Sequence, residues 1–356
     1  MKFLSIQYWF THALLVVVCC LVIAGCKKDK TEPVSTEAAK VYVANYVGGS
    51  VSIIDAEKQV VVKTLHLGDH SASTMWMPHY IQVAPDGKKV WVTAMTMNGD
   101  DAIFVINPTT DDVMKQIAVG TGYGLAHVVF DDASQRAFVT AYNTSQVLVF
   151  DAVTYEAVDI INLDAGSAPH GLRYHNGKLY IASFVGESLA VVEVATHDVV
   201  KHALGGMATQ TAVTPDGKFA FASVQSKKQI ARLDLENDSL TLFALPADAK
   251  GPVQLYPTPD SKHLYICDQG EMTTSLCSTK LYVMNCENGL VEHSIVTGNA
   301  PHGVVIGHDG KFAFVTNALD NTVSVVNTSS HSVAATIPVG GKPNGISFWD
   351  ATGGMP

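Results

Sequence analysis

Four histidines recur at one place in a repeated pattern. His79, His127 and His302 each stand nine residues before a basic residue at a turn, namely Lys88, Arg136 and Lys311. His170 holds the matching place in a unit whose turn is one residue shorter, and Asn344 holds it near the end of the chain. Imidazoles that converge from several strands are a usual way to hold zinc or copper, because the neutral ring offers a lone pair without burying charge. A second set lies close by, Met75 and Met77 around Trp76, then Met95 and Met97, with His70 just upstream. Thioether and imidazole together suit Cu(I), a soft ion, and an indole face attracts cations. Each set also has a structural use. Methionine is an adaptable filler between loops. In Pro-His-Gly the proline presets the backbone, the imidazole bonds a neighbouring carbonyl and the glycine permits close packing.

The elements that position these residues are short strands. Residues 299–340 contain four β-rich runs, Gly303–Ile306, Phe312–Asn317, Thr322–Asn327 and Val333–Val339, broken by turns such as Asp309-Gly310 and Asp320-Asn321. The same order recurs, with Pro85-Asp86-Gly87-Lys88 and Pro215-Asp216-Gly217-Lys218 marking equivalent turns. The 300 residues from 41 to 340 divide into seven units of about 43, within the ~40–45 residues typical of a four-stranded propeller blade. The chain enters on Val41-Tyr-Val-Ala-Asn45, a second strand, and leaves on Lys342 to Phe348, a first strand. The two ends therefore complete one blade and close the ring, which hides the sheet edges. The fold class expected is all-β, a seven-bladed propeller over residues 40–350 with a short tail at 351–356.

Propeller topology puts the start of each innermost strand and the loop between second and third strands on one face, here the top. The four histidines and Asn344 then form an arc around the channel mouth. Three insertions decorate that face. Asp69–Pro78 is seven residues longer than the matching Asn299–Pro301, Met95–Ala102 is three longer than Ala318–Thr322, and Gln269–Lys280 has twelve residues where five suffice. Long loops on a rigid scaffold are where binding sites concentrate. Cys267 ends the strand entering the third insertion and Cys277 lies inside it, so a small disulfide between them is expected, leaving Cys286 free.

Composition excludes several functions. Apolar residues are 47% and charged residues 16%, which supplies a core and argues against disorder. Lys plus Arg number 23 against 33 Asp plus Glu, a net charge of −10 without basic runs, so no nucleic-acid partner is expected. The sequence carries no G-x-S-x-G, Walker loop, H-E-x-x-H or C-x-x-C-H motif, and the reading leans away from an enzyme.

Tyr42-Val-Ala-Asn45, Val315-Thr-Asn317, Val323-Ser-Val-Val326 and Ala300-Pro-His-Gly303 together resemble the YVTN repeat family. That family is similar to the propellers of archaeal surface-layer proteins, nitrous oxide reductase and cytochrome d1, and the resemblance covers residues 41–348. It implies the fold firmly and function weakly, because the scaffold hosts unrelated tasks. Three functions follow as expectations. The first is a scaffold capturing copper or zinc on the His arc and Met loops. The second is a protein or surface-layer interaction module whose partner docks on the top face, with Trp76 as anchor. The third is a tetrapyrrole-handling protein, ranked last because the basic residues sit mainly at the turns of the opposite face, with Arg173 and Arg232 among the few exceptions that could pair with propionates.

The N-terminus reads as an address. Lys2 precedes an apolar run, Ala13 to Ala24, ending in Gly25-Cys26. Leu21-Val-Ile-Ala-Gly-Cys26 resembles a bacterial lipobox, so residues 1–25 are expected to be a signal peptide, Cys26 the lipidated residue and 26–39 a tether. The protein would then be anchored to a bacterial membrane in the cell envelope, facing the periplasm or the exterior. Cys26→Ser should yield an unlipidated precursor that leaves the detergent phase in phase separation; a variant that still partitions with detergent would sink the assignment.

Overall fold

Runs of β-branched and aromatic residues, each stopped by an Asx, Gly or Pro turn, have nowhere to bury their apolar faces except against one another. In the computed structural model, which describes residues 38–68, 75–273 and 275–353, they pair as seven antiparallel four-stranded sheets. The innermost strands are Met77–Val83, Leu125–Phe130, Pro169–His175, Ala208–Val213, Pro252–Pro257 and Pro301–Ile306 for blades two to seven, and Pro343–Trp349 for blade one. The last of these pairs with Lys40–Asn45, followed outward by Ser50–Asp55 and Val60–His66, so the chain's two ends share blade one as expected. Ser347 Oγ accepts the Val83 N–H at 3.0 Å, and the Trp349 indole N–H donates to the Gly87 carbonyl at 2.8 Å, tying the closing strand to blade two.

The apolar cores lie between neighbouring blades. Trp91, Phe130, Val139 and Phe150 join blades two and three, while Val43, Val305, Phe314 and Ile346 join blades seven and one. The outermost strands are largely exposed, and Val60–His66 alternates exposed and half-buried residues.

Each innermost strand carries a β-bulge at the same place. The register slips between Pro78 and Tyr80, Leu125 and Val128, Pro169 and Leu172, Ala208 and Thr211, Pro252 and Leu255, and Pro301 and Val304. On blade one the slip is seen from the second strand, between Val43 and Asn45. A bulge sets two consecutive residues against one and re-aims their side chains. Gly171 shows how tight the result is, since a Cβ there would lie 2.0 Å from Gln210 Oε1.

Removing residues 341–356 strips the innermost strand from blade one. We expect a loss of several kcal/mol, comparable with the ~5–15 kcal/mol that holds a whole domain. Urea denaturation reads it, and a midpoint equal to that of the full chain would refute the shared blade.

Candidate metal centre

The bulges decide which histidines meet. His79, His170 and His302 occupy equivalent positions, each following the proline that pairs with the end of the second strand: Pro78 with Ala94, Pro169 with Ser183 and Pro301 with Asn317. In blade three Leu125 pairs with Ala141, which gives that position to Ala126 and places His127 one residue further in. The expected equivalence of His127 is therefore corrected. Arg136 opens the second strand of its blade, one place later than Lys88 and Lys311 in theirs. His127 shares its level with Tyr80, Gln210 and Gly303, and all four backbone N–H groups donate to a hydroxyl of the second strand.

The offset brings imidazoles together. One ring nitrogen from each of His79, His127 and His170 lies within 4.8 Å of those of the other two. The ring centroids are 5.8 Å apart for His79 and His127, 5.3 Å for His79 and His170, and 4.9 Å for His127 and His170. Among the described residues no Asp, Glu or Cys joins this cluster.

Hydrogen bonds fix the tautomers. His79 Nδ1–H donates to the Ala126 carbonyl at 3.2 Å, and His170 Nδ1–H donates to the Thr209 carbonyl at 2.8 Å. Since a carbonyl only accepts, both rings keep a free Nε2 lone pair, the orientation typical of a metal-binding histidine. His127 differs. Gln210 Oε1 accepts the Thr211 N–H at 2.9 Å, so its Nε2 donates to His127 Nδ1 at 3.2 Å and the proton of His127 sits on Nε2. His127 is 2% exposed and lies on Tyr80 at 3.8 Å between centroids.

His302 and Asn344 do not join the trio. Together with His79 they line an adjoining cavity of about 230 Å³ whose other walls are Tyr46, Gln269, Met272 and Lys342. His302 Nδ1–H donates to Gln269 Oε1 at 3.1 Å, and Gln269 Nε2 contacts the Met272 sulfur. Around the mouth, the residue after each second strand forms a rim. Tyr46 lies 6.3 Å from His79, while Tyr142 and Phe184 lie 6.4 and 6.3 Å from His170.

The four methionines of the blade-two loops differ in setting. Met77 and Met95 face each other across the first two strands of blade two. Met75 lies against Gly49 of blade one, and Met97 is 73% exposed. Trp76 packs edge-on against Phe104 at 5.4 Å and against Gly68, so it plugs the seam between blades one and two rather than capping an ion. The methionine at the cavity is Met272 of blade six, and Gln269, Tyr46, Tyr142, Phe184 and Lys342 were equally missed. Aligning the residue after each second strand (Asn45-Tyr46, Ala141-Tyr142, Ser183-Phe184) is the signal that exposes the rim. His70 and Cys26 lie outside the described residues.

The expected Cys267–Cys277 disulfide is not formed: Cys267, Cys277 and Cys286 are all thiols, and that of Cys277 donates to Asn299 Oδ1 at 3.8 Å. The insertion of blade six lengthens its hairpin, so Cys277 pairs with Gly270 whereas Cys267 pairs with Leu281. Burial raises the Cys267 thiol well above its usual range and pushes Cys286 up to about 12.

Burial also holds the imidazoles neutral. Desolvation, then the neighbouring His170, lowers His79 to about 3, and desolvation with His79 lowers His302 to about 3. His127 falls well below the ordinary range through burial, its histidine neighbours and Arg173. His170 is lowered by burial, partly offset by its bond to Thr209.

A family model described as "Lactonase, 7-bladed beta-propeller" matches residues 27–278, and the chain belongs to that family. No curated protein matches the sequence significantly. Solved structures repeat the fold at low identity. A putative 6-phosphogluconolactonase from Bacteroides fragilis is 16% identical over 90% of this chain and 100% of its own, with a TM-score of 0.67. Virginiamycin B lyase from Staphylococcus aureus, as a catalytically inactive histidine-to-alanine variant with quinupristin, is 18% identical over 81% and 96%, with a TM-score of 0.66. A dihydro-heme d1 dehydrogenase is 13% identical over 88% and 75%, with a TM-score of 0.58. These likenesses establish the propeller.

Unfolded imidazoles titrate near 6.5, so between about pH 6.5 and 3 the unfolded chain binds more protons than the fold. Stability should be full above pH 6.5 and fall as pH drops toward 3, by at most about 1.4 kcal/mol per pH unit for each of the half-buried His79 and His302, and by less where solvent reaches the ring. His302→Gln should flatten the slope of urea stability against pH between 6.5 and 4; an unchanged slope would contradict the buried neutral ring.

Proposed function

We propose that this propeller is an exported, lipid-anchored envelope protein that captures copper or zinc at His79, His127 and His170. The observation that carries the reading is the trio itself: three neutral imidazoles drawn from three blades, their nitrogens within 4.8 Å of one another. Two of them hold Nδ1–H against backbone carbonyls, which leaves Nε2 for an ion. The third must shift its proton to Nδ1 to ligate through Nε2, and Gln210 must then turn its amide oxygen toward the ring. Three imidazoles and an open position suit Zn(II). Copper is favoured on charge, because no carboxylate in the cluster offsets an ion and Cu(I) carries the smaller charge. Lipidation at Cys26 would supply the membrane attachment, and the rim of Tyr46, Tyr142 and Phe184 would meet any protein that delivers or receives the ion.

A second reading is ring-opening chemistry on a cyclic ester. It is favoured by the lactonase name of the family and by the inactive histidine variant of virginiamycin B lyase. A neutral His79 or His170 Nε2 would then serve as base and His127 Nε2–H as donor.

Competition titrations separate the readings. Alanine at His79, His127 or His170 should weaken Cu(I) and Zn(II) binding by at least about 100-fold, more than loss of an outer-shell partner costs. Leucine at Met75, Met77, Met95 and Met97 together keeps volume and should leave affinity almost unchanged. If neither metal binds tighter than micromolar, the metal reading falls, and turnover of lactones by chelated protein becomes the deciding assay.

A further inference from the structure

The channel holds a positive charge that the fold does not neutralise. Arg173 is 5% exposed and stands three residues beyond His170 on the innermost strand of blade four. Its Nη1–H donates to the carbonyl of the adjacent Leu172 at 2.9 Å, and no described carboxylate forms an ion pair with it. Buried arginines nearly always have an anionic partner, since a planar fork of five donors is costly to leave unmatched.

The blades beside it add unspent donors. In blade six Gln254 Oε1 accepts the Val304 N–H at 3.0 Å, which fixes the amide and leaves Nε2 buried without a partner. In blade five the buried Thr209 hydroxyl is likewise unpaired. Both residues belong to the bulges of innermost strands, one and two blades on from Arg173, and lie outside the walls of its cavity. Below the histidines Arg173 walls a cavity of about 120 Å³ with Tyr256, Thr214 and His175. That is the share of liquid volume taken by about four waters, enough for an anion of a few heavy atoms.

We propose that this cavity binds a small carboxylate or oxyanion, with the Arg173 guanidinium as its charge partner. A planar carboxylate or nitrate would take two parallel N–H bonds from the fork, and a tetrahedral oxyanion would present one edge to it. The site does not depend on a metal. An anion there would nevertheless offset part of the charge of any ion held by His127, which lies in the field of Arg173.

The test uses chelator-treated protein, so that its failure and failure of the metal reading are distinguishable. Melting temperature is followed against acetate, nitrate and phosphate, at ionic strength held constant by a sulfonate salt too bulky for the cavity. Wild type should show a saturable rise with at least one anion. Arg173→Lys should shift its midpoint at least about tenfold upward, because a point charge replaces the fork, and Arg173→Gln should abolish the rise. A response to acetate alone assigns a carboxylate, and a response to phosphate or nitrate assigns an oxyanion. No saturable rise in wild type, or an equal rise in Arg173→Lys, would overturn the proposal; the lysine variant decides it even should the glutamine variant fail to fold.

Discussion

A single hydroxyl in the second strand of several blades does two jobs on which the channel depends. Thr140 Oγ1 accepts the N–H of His127 in its own blade at 2.9 Å and donates to the carbonyl of His170 in the next at 2.7 Å. Thr93 does the same between Tyr80 and Ala126, at 3.2 and 2.6 Å, and Thr316 between Gly303 and Asn344, at 2.7 and 3.0 Å. The bulge leaves one N–H without a ladder partner, and the hydroxyl satisfies it while gripping the neighbouring blade. Valine has the same shape but would leave both groups unpaired in a buried seam. The orientation of His79 hangs on this stitch as well. The Ala126 carbonyl that receives its Nδ1–H is the one already held by Thr93.

The same stitch explains what the sequence made legible. The threonines lie in Val92-Thr-Ala94, Val139-Thr-Ala141 and Val315-Thr-Asn317, and Ser223 supplies the hydroxyl in blade five, whereas Ala44, Ala182 and Cys267 stand at the same place in blades one, four and six. Strand order, ring closure and the face bearing the histidines follow from period-2 patterning and turn residues, and the fold agrees with them. The position of His127 was not legible from turn counting, since Arg136 begins a strand where Lys88 and Lys311 end turns. The bulge has no residue signature of its own in blade three, where Leu125-Ala-His127 replaces Pro-His-Gly.

Loops obey weaker rules, and there the sequence misled. Met-x-Met on two adjacent insertions invites a soft-metal reading, yet a propeller's seams need irregular apolar filler near the rim. Trp76 lies against Phe104 and Gly68 at the seam of blades one and two. Spacing alone does not distinguish a thioether aimed at a channel from one wedged in a seam. Met272 reaches the cavity through a hairpin extended by strand pairing, and strand pairing also carries Cys277 away from Cys267.

The distribution of charge along the channel limits what it can hold. Four imidazoles lie near the mouth as neutral bases, so that region offers lone pairs to an electron acceptor and little field to repel it. Three residues beyond His170 on the same strand, Arg173 offers only donors. One guest serving both ends would need to be electron-poor at one end and anionic at the other. Two guests, a cation above and an anion below, meet the same demand and attract one another. Such a pair is coupled by necessity, since whatever one site gains from the other's occupancy is returned in equal measure.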